Sequence, residues 1–488
     1  MVHRNSLRNI IFGCYRKPQT FHVAGRVTEH TQRVKLPNKT IVLAISVLLL
    51  GVSALIILPL IITSLQAPTL QWQQFLPGVS GNAVIQTSDG GYLALGVNAS
   101  VITTDSGPIF TNQTPILVKT DSSGNAVWQM TFQVTGLFPL AQDLLQTSDG
   151  GYALIVSGGV STNQPVGFLI KTDANGYMQW IRNFSFYGSL SPLSSGLLDA
   201  GHLNSFVQTS DGGYAIVGTY YWGGGPSVPE IYYVKADSAG NLLLNKTISG
   251  GQAISILQTS DNGFALVSEF PERGGGSKYG LIKIDADGNV AWSKEYSESG
   301  SASSYADCGI ATDDGYLIGG DAIYNNNQNL GWLVKTDLEG NEIWNLTYPS
   351  TMDITSISHS NDGFVLLATN SNTGSNFYSN TQTTTQLVNI NSQGNVRSQL
   401  SIDMGHYHTH PTALEQTRDG GYVFVGTWKE SPQATVDQKF WLAKVTDVST
   451  LPSSTPFFAD LAVIAAVAVA EAVIALRYIR SKSKKNMI

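Results

Sequence analysis

The chain has 488 residues, of which 13% are charged and 10% aromatic, with 49 Gly, 18 Pro and a formal net charge of −7. This turn-rich, weakly charged composition belongs to all-β folds and excludes a disordered chain or a coiled coil. The two cysteines, Cys14 and Cys308, stand in different segments, which excludes a disulfide framework and a Cys-based zinc site.

Residues 1–40 form a basic leader with eight Lys/Arg against one acid, Glu29. IVLAISVLLLGVSALIILPLIIT, residues 41–63, follows without a charge and is long enough as a helix, at about 34 Å, to cross a hydrocarbon core of about 30 Å. The rival reading, a cleaved signal peptide, suits neither the length of the apolar run nor Pro68 after the only small cleavage residue, Ala67.

From residue 69 onward one motif returns. QTSDGGYLALG at 86–96 recurs as QTSDGGYALIV, QTSDGGYAIVG, QTSDNGFALVS and QTRDGGYVFVG, with shorter copies at 311 and 360. The aromatic after the glycine falls at Tyr92, Tyr152, Tyr214, Phe264, Tyr316, Phe364 and Tyr422, seven copies spaced 48 to 62 residues apart. Periods of that size mark modules unable to bury an apolar face alone. A second motif alternates with the first, as in ILVKTDSSGNAVWQMTF from 116 and FLIKTDANGYMQWIRNF from 168. Here Asp caps its own turn and Gly supplies the positive φ of a bulged hairpin. Each repeat therefore contains four strands, and tandem four-stranded units are propeller blades.

Seven Gly-aromatic turns need seven outer strands, yet the last copy stops at WLAKVTD, residues 441–447. LQWQQF, residues 70–75, matches the outer-strand pattern of Trp128 to Phe132 and Trp180 to Phe184. The N-terminal strand is thus expected to close the last blade and remove the exposed edges. The expected fold is all-β, a seven-bladed β-propeller of four-stranded blades over residues 69–447, flanked by two transmembrane helices. Trp72, Trp128, Trp180, Trp292 and Trp344 share one outer-strand position, with Leu244 and Ser398 in the other two units, and read as packing between sheets.

The S-D-G-G-Y and K-T-D-x-x-G-N-x-x-W motifs resemble quinoprotein-like (PQQ-repeat-like) β-propeller surface proteins of bacteria and archaea. The resemblance covers residues 69–447 and implies fold rather than activity. The quinone enzymes of that superfamily have eight blades and a dedicated pocket, so no quinone cofactor is carried over.

In such a ring the tight turns and both chain ends emerge on one face. The opposite face collects the longer connections, from residues 98, 185, 219, 271, 369 and 428, whose Tyr, Trp, Asn, Ser and Gly suit recognition of a glycan or a protein. N-x-S/T sequons at Asn98, Asn112, Asn183, Asn245 and Asn345 are candidate glycosylation sites there or on outer strands, while Asn38 precedes the first apolar segment.

The densest ligating cluster is HYHTHP, where His406, His408 and His410 would share one face of a strand, with His202 at the blade position of His410. A divalent metal is the only cofactor these residues suggest. Asp143 and Asp307 read as sharing a position on innermost strands, with Glu415 on another, and paired carboxylates in a channel would serve glycoside hydrolysis. DADGN at 285–289 lacks the remaining ligands of a calcium loop and reads as a turn.

After a Ser/Thr/Pro stalk at 448–456, FFADLAVIAAVAVAEAVIAL at 457–476 is long enough to span but carries Asp460 and Glu471. Glu471 would face a partner helix or reach toward Arg477 and Lys482. The tail, 477–488, adds five Lys/Arg and no acid, so both basic ends are expected inside the cell. That leaves 15 of the 28 basic and 32 of the 35 acidic residues for the exterior, an anionic surface that argues against nucleic acid. The expected function is a membrane-anchored cell-surface propeller binding glycan or protein through membrane-distal loops. The alternative is an extracellular metal-dependent hydrolase or oxidoreductase with its site at the channel mouth.

Overall fold

A computed structural model describes residues 69–104, 107–134, 139–158, 166–185, 200–221, 229–272, 275–326, 328–348, 352–371, 383–403, 408–430 and 437–446. Among these residues every regular element is a strand, and the strands form seven four-stranded antiparallel sheets. Blades I to VI run consecutively over residues 80–131, 140–185, 200–249, 252–296, 301–347 and 352–402. Blade VII contains His408–Gln416, Tyr422–Lys429 and Gln438–Val445 from the C-terminal part, and its outermost strand is Leu70–Leu76. The register pairs Gln73 with Ala443 and Phe75 with Trp441.

The closure is fastened at both ends of the sheet. On the outside, Thr446 N donates to Thr69 O at 3.0 Å, Thr69 N donates to Thr446 Oγ1 at 2.8 Å, and Trp441 Nε1 donates to Gln73 Oε1 at 3.1 Å. On the inside, Arg418 N donates to Gln86 Oε1 at 2.8 Å and Thr412 Oγ1 to Gly81 O at 2.9 Å, tying blade VII to blade I. Each innermost strand packs against that of the next blade, and His408–Gln416 returns to Ser80–Gln86, so the ring is complete.

The second strand of every blade lies between two neighbouring sheets, and the residues that directly follow its Gly-aromatic mark are apolar on both faces. Tyr152–Gly158 is buried along its whole length. This explains the unbroken apolar run after each Gly-aromatic mark, where simple alternation would leave one face polar.

The conserved-looking polar marks of the repeat are one device. In blade II, Thr147 Oγ1 and Gly151 N donate to Asp149 Oδ1 at 2.6 and 3.0 Å. Lys171 from the third strand reaches the same carboxylate at 2.9 Å and its own Thr172 O at 2.8 Å, with only 5% of its side chain exposed. The pairs Lys119–Asp89, Lys283–Asp261, Lys335–Asp314 and Lys444–Asp419 repeat it. The SDGGY turn thus supplies the counter-charge for the buried lysine of KTD.

The D-x-x-G-N turn has a second role. Asp173 Oδ1 accepts from Asn175 N and Tyr177 N, both at 2.9 Å, and Gly176 takes φ +81°. A Cβ on Gly176 would lie 2.5 Å from the ring of Trp128 on the preceding blade. Trp72 covers Gly124, Trp180 covers Gly240 and Trp292 covers Gly340 in the same way, and Trp344 reaches Gly394 beside Leu346. Where Leu244 replaces Trp, Tyr233 takes its place over Gly288 and donates to Ala286 O at 3.0 Å. Ser398 stands on blade VI, which faces the one blade whose third and fourth strands no turn connects. The DADGN segment makes the same Asx turn, with Asp285 accepting from Asp287 N and Asn289 N.

One expectation is corrected. The segment from residue 98 is a continuation of the second and third strands of blade I, Tyr92–Thr104 and Gly107–Thr120, rather than a loop. Its β-branched residues favour extended backbone, and Val101, Ile102 and Ile109 project from it 46–47% exposed. Among the described residues no helix is long and apolar enough to cross a membrane; segments 41–63 and 457–476, with Glu471 and Asn38, lie outside them.

Candidate functional site

All seven innermost strands carry a β-bulge at one equivalent place, between Gly81/Ala83, Ala141/Asp143, Leu203/Ser205, Ala253/Ser255, Ala306/Cys308, Ile354/Ser356 and Pro411/Ala413. A bulge inserts one unpaired residue and re-aims its side chain. The inserted residues are Asn82, Gln142, Asn204, Ile254, Asp307, Thr355 and Thr412, each partly or fully exposed, whereas the residue before each is buried. Six of the seven are polar, and they ring the central channel.

The register also corrects the pairing of Asp143 with Asp307. Blade V turns with DDG instead of SDGG, one residue shorter, so counting back from the aromatic misplaces Asp307 by one. Thr312 Oγ1 donates to Asp314 Oδ1 as Thr147 does to Asp149, which sets the alignment. Asp307 therefore sits on the bulge with Gln142, and Asp143 aligns with Cys308. Asp143 staples two blades, accepting from Leu144 N, Ser205 Oγ and Phe206 N, while burial pushes its pKa up to about 6. Cys308 Sγ lies against Gly319 O and Ile354 O, and burial raises its thiol well above the ordinary range.

Two residues before the bulge, nearer the loop face, lies a second ring that includes His202, Gln252, Tyr305, Asp353 and His410, cross-strand from Thr219, Glu269, Asp321, Thr369 and Thr427. Blades IV to VII thereby gather Glu269, Asp307, Asp321, Asp353 and His410. The carboxyl groups of Asp307 and Asp353 hydrogen-bond each other. Two carboxylates at that separation cannot both ionise, so one proton is shared. Burial first, then the charge of Asp353, pushes Asp307 well above the usual carboxylate range. Burial also raises Asp353, while His410 beside it pulls the other way, so the pair holds one proton between its two carboxyl groups. Asp307 is solvent-exposed at its bulge, and it is the crowding of the surrounding blades rather than loss of all contact with water that raises it. Burial pushes Asp321 up to about 8 and Glu269 and Glu415 up to about 7.

Glycoside hydrolysis needs two carboxyl groups about 5–9.5 Å apart. A direct hydrogen bond holds Asp307 and Asp353 closer than that, so this pair does not fit the reaction.

His202 and His410 do occupy the same register position, but on blades III and VII, and burial lowers the pKa of both. His408 lies on the same strand as His410 and is 1% exposed, and His406 lies outside the described residues. Among the described residues no group of three His, Cys, Asp or Glu is arranged to hold a metal. Of the sequons, Asn112, Asn183, Asn245 and Asn345 are exposed and Asn98 is half-buried. At the other mouth, on the turn face, an open cleft of about 680 Å³ is lined by Gln146, Ser148, Gln208 and Gln258 among others. Its Gln208 accepts from Ser148 N at 2.8 Å and so joins blades II and III.

The raised carboxyl groups give a pH dependence. An unfolded chain ionises Glu and Asp near pH 4, whereas Glu269 and Asp321 stay protonated in the fold to about 7 and 8. The folded state binds more protons in between, so this stability is complete below about pH 4 and lost as pH rises through 7 to 8. Urea midpoints are expected to fall between pH 5 and 8.5, and Glu269→Gln with Asp321→Asn to flatten the fall. A midpoint that rises over that range would contradict the burial of these groups.

The fold and site define a closed seven-bladed β-propeller with a polar, acid-bearing channel. No family model and no curated protein matches the chain. Solved structures it is similar to include the Dos1 propeller, at 8% identity and TM-score 0.44 over 77% of this chain and 95% of that one. A Dyadobacter fermentans protein of unknown function is 10% identical, with TM-score 0.43 over 78% of this chain and 100% of that one. A luciferin-regenerating enzyme is 9% identical, with TM-score 0.37 over 78% and 96%. The fold assignment rests on the strand pairing rather than on these likenesses.

Proposed function

We propose that this protein is a membrane-anchored cell-surface propeller that binds a glycan at the loop-face mouth of its channel. The observation that supports the ligand is the ring of polar residues at the bulges, in which Asn82, Gln142 and Asp307 are joined by Asn204, Thr355 and Thr412, whose side chains also bond Thr219, Leu367 O and Gly81 O. Carboxamides, hydroxyls and a carboxyl group facing a concave space offer the alternating donors and acceptors that vicinal hydroxyl groups need. A flat protein partner would leave them unused. The membrane part of the reading comes from chain direction. Thr69 and Thr446 are hydrogen-bonded neighbours on the turn face, and residues 64–68 and 447–456 are all the sequence between them and the apolar segments. Two spans on one side leave the loop face outward, and Glu471 gives the second span a polar contact for a partner helix. The alternating SDGGY and KTDxxGNxxW motifs support grouping the chain with quinoprotein-like repeat propellers that lack the quinone.

A glycan array probed with the full-length protein in detergent tests the ligand. The expected result is retention of a defined set of glycans, reduced by Asp307→Asn. An array on which nothing is retained, or on which Asp307→Asn changes nothing, would overturn the reading.

A further inference from the structure

Within the acid-bearing mouth, beyond the proton shared by Asp307 and Asp353, the shielded atoms Asp353 Oδ1 and Thr369 Oγ1 receive no hydrogen bond from an N–H or O–H donor among the described residues. Thr369 as a whole is 7% exposed. Asp353, Thr369 and Thr385 are cross-strand neighbours in blade VI, so their side chains lie on one face of that sheet. That face is turned toward blade VII, because Thr385 Oγ1 donates to Thr409 Oγ1 at 2.9 Å. Asp307 enters the same space from blade V through its bond to Asp353. A buried polar group without a partner costs stability, and two on adjacent strands beside a carboxyl pair describe a site built for a donor that is not part of the fold.

The geometry points to a primary ammonium group as that donor, carried by an amino-sugar unit of the glycan and seated between Asp307, Asp353 and Thr369. The inference rests on the glycan reading above and names the chemistry of one subsite. An ammonium has three N–H donors and no acceptor. It meets one oxygen on each of Asp307, Asp353 and Thr369, takes the place of the proton the two carboxyls share, and that proton leaves to solvent. A metal ion suits the place less well, since no three His, Cys, Asp or Glu among the described residues are arranged to hold one.

Calorimetric titration of the full-length protein in detergent tests this with three probes: a β-1,4-linked glucosamine tetramer, its fully N-acetylated counterpart, and n-propylammonium. The free-amine tetramer is expected to bind about tenfold or more tightly than the acetylated one, as befits loss of hydrogen bonds to a charged group. Asp353→Asn, which keeps an acceptor for Asp307, and the near-isosteric Thr369→Val, whose hydroxyl has no hydrogen-bond partner in the fold, are each expected to reduce that preference without lowering the unfolding midpoint. Asp143→Asn, on the far side of the ring, should leave it unchanged. Equal binding of the two tetramers overturns the ammonium subsite and leaves the glycan reading intact. Binding of propylammonium that competes with neither tetramer keeps the subsite and removes the glycan reading. A preference that survives both substitutions, or no binding of either amine, overturns the inference.

Discussion

Asp149→Ala is expected to destabilise the propeller by about 3 kcal/mol, while Lys171→Met in the same blade changes stability by less than about 1 kcal/mol. Exposed ion pairs are worth little either way, and Asp149 taken alone looks like such a case, with 57% of its side chain exposed. The asymmetry comes from its partner. Without Asp149 the Lys171 ammonium stays buried with Thr172 O and a long contact to Gln179, and Thr147 Oγ1 and Gly151 N lose their acceptor. Methionine fills the space of the lysine stem, and the carboxylate it releases is solvated where it stands. Burial is the largest influence on Asp149 and pushes its carboxyl up, yet Thr147, Lys171 and Gly151 together hold it down at about 2. Urea midpoints of the two variants check this, and equal losses would contradict a buried lysine.

Gly176→Ala is expected to cost about 3 kcal/mol, against about 1 kcal/mol for Gly150→Ala. The two glycines share nearly the same backbone, φ +81° and +83°. A Cβ on Gly150 meets nothing within 4 Å, whereas one on Gly176 meets Trp128 at 2.5 Å. The difference isolates the contact between blades from the strain of the turn. In a Trp128→Ala background the cost of Gly176→Ala should fall to that of Gly150→Ala. Additive losses in the double variant would show that Trp128 does not pack on the neighbouring blade.

These two devices show how far the sequence is legible. The repeat, its hairpins and the closure by Leu70–Leu76 are all written locally, in turn residues and apolar runs, so they read directly from the chain. Pairing Lys171 with Asp149 needed the sheet, since the residues are 22 apart and belong to different motifs. The available signal was their joint appearance in most repeats; in blade VI Asn389 replaces the lysine while the acid stays as Asp362 and meets Arg397 instead. The bulges left no signal, because one extra residue inside a strand adds no turn residue to mark it. Asp307, Asp353 and His410 are likewise 46 and 57 residues apart on three blades. Only the register of each inner strand brings them to one mouth. Extending the strand at Tyr92–Thr104 past residue 98 was concealed by the Asn, Thr, Ser and Gly that usually signal a loop.

The reading depends most on both chain ends leaving from one face, which turns the loop face outward. Labelling intact cells with a membrane-impermeant maleimide tests it, using the full-length chain with Cys308→Ser. Asn112→Cys, on the exposed hairpin of blade I, is expected to label in intact cells. Cys14, and Ser483→Cys in a chain with Cys14→Ser, are expected to label only after permeabilisation. Labelling of either end in intact cells, or protection of position 112, would contradict the account.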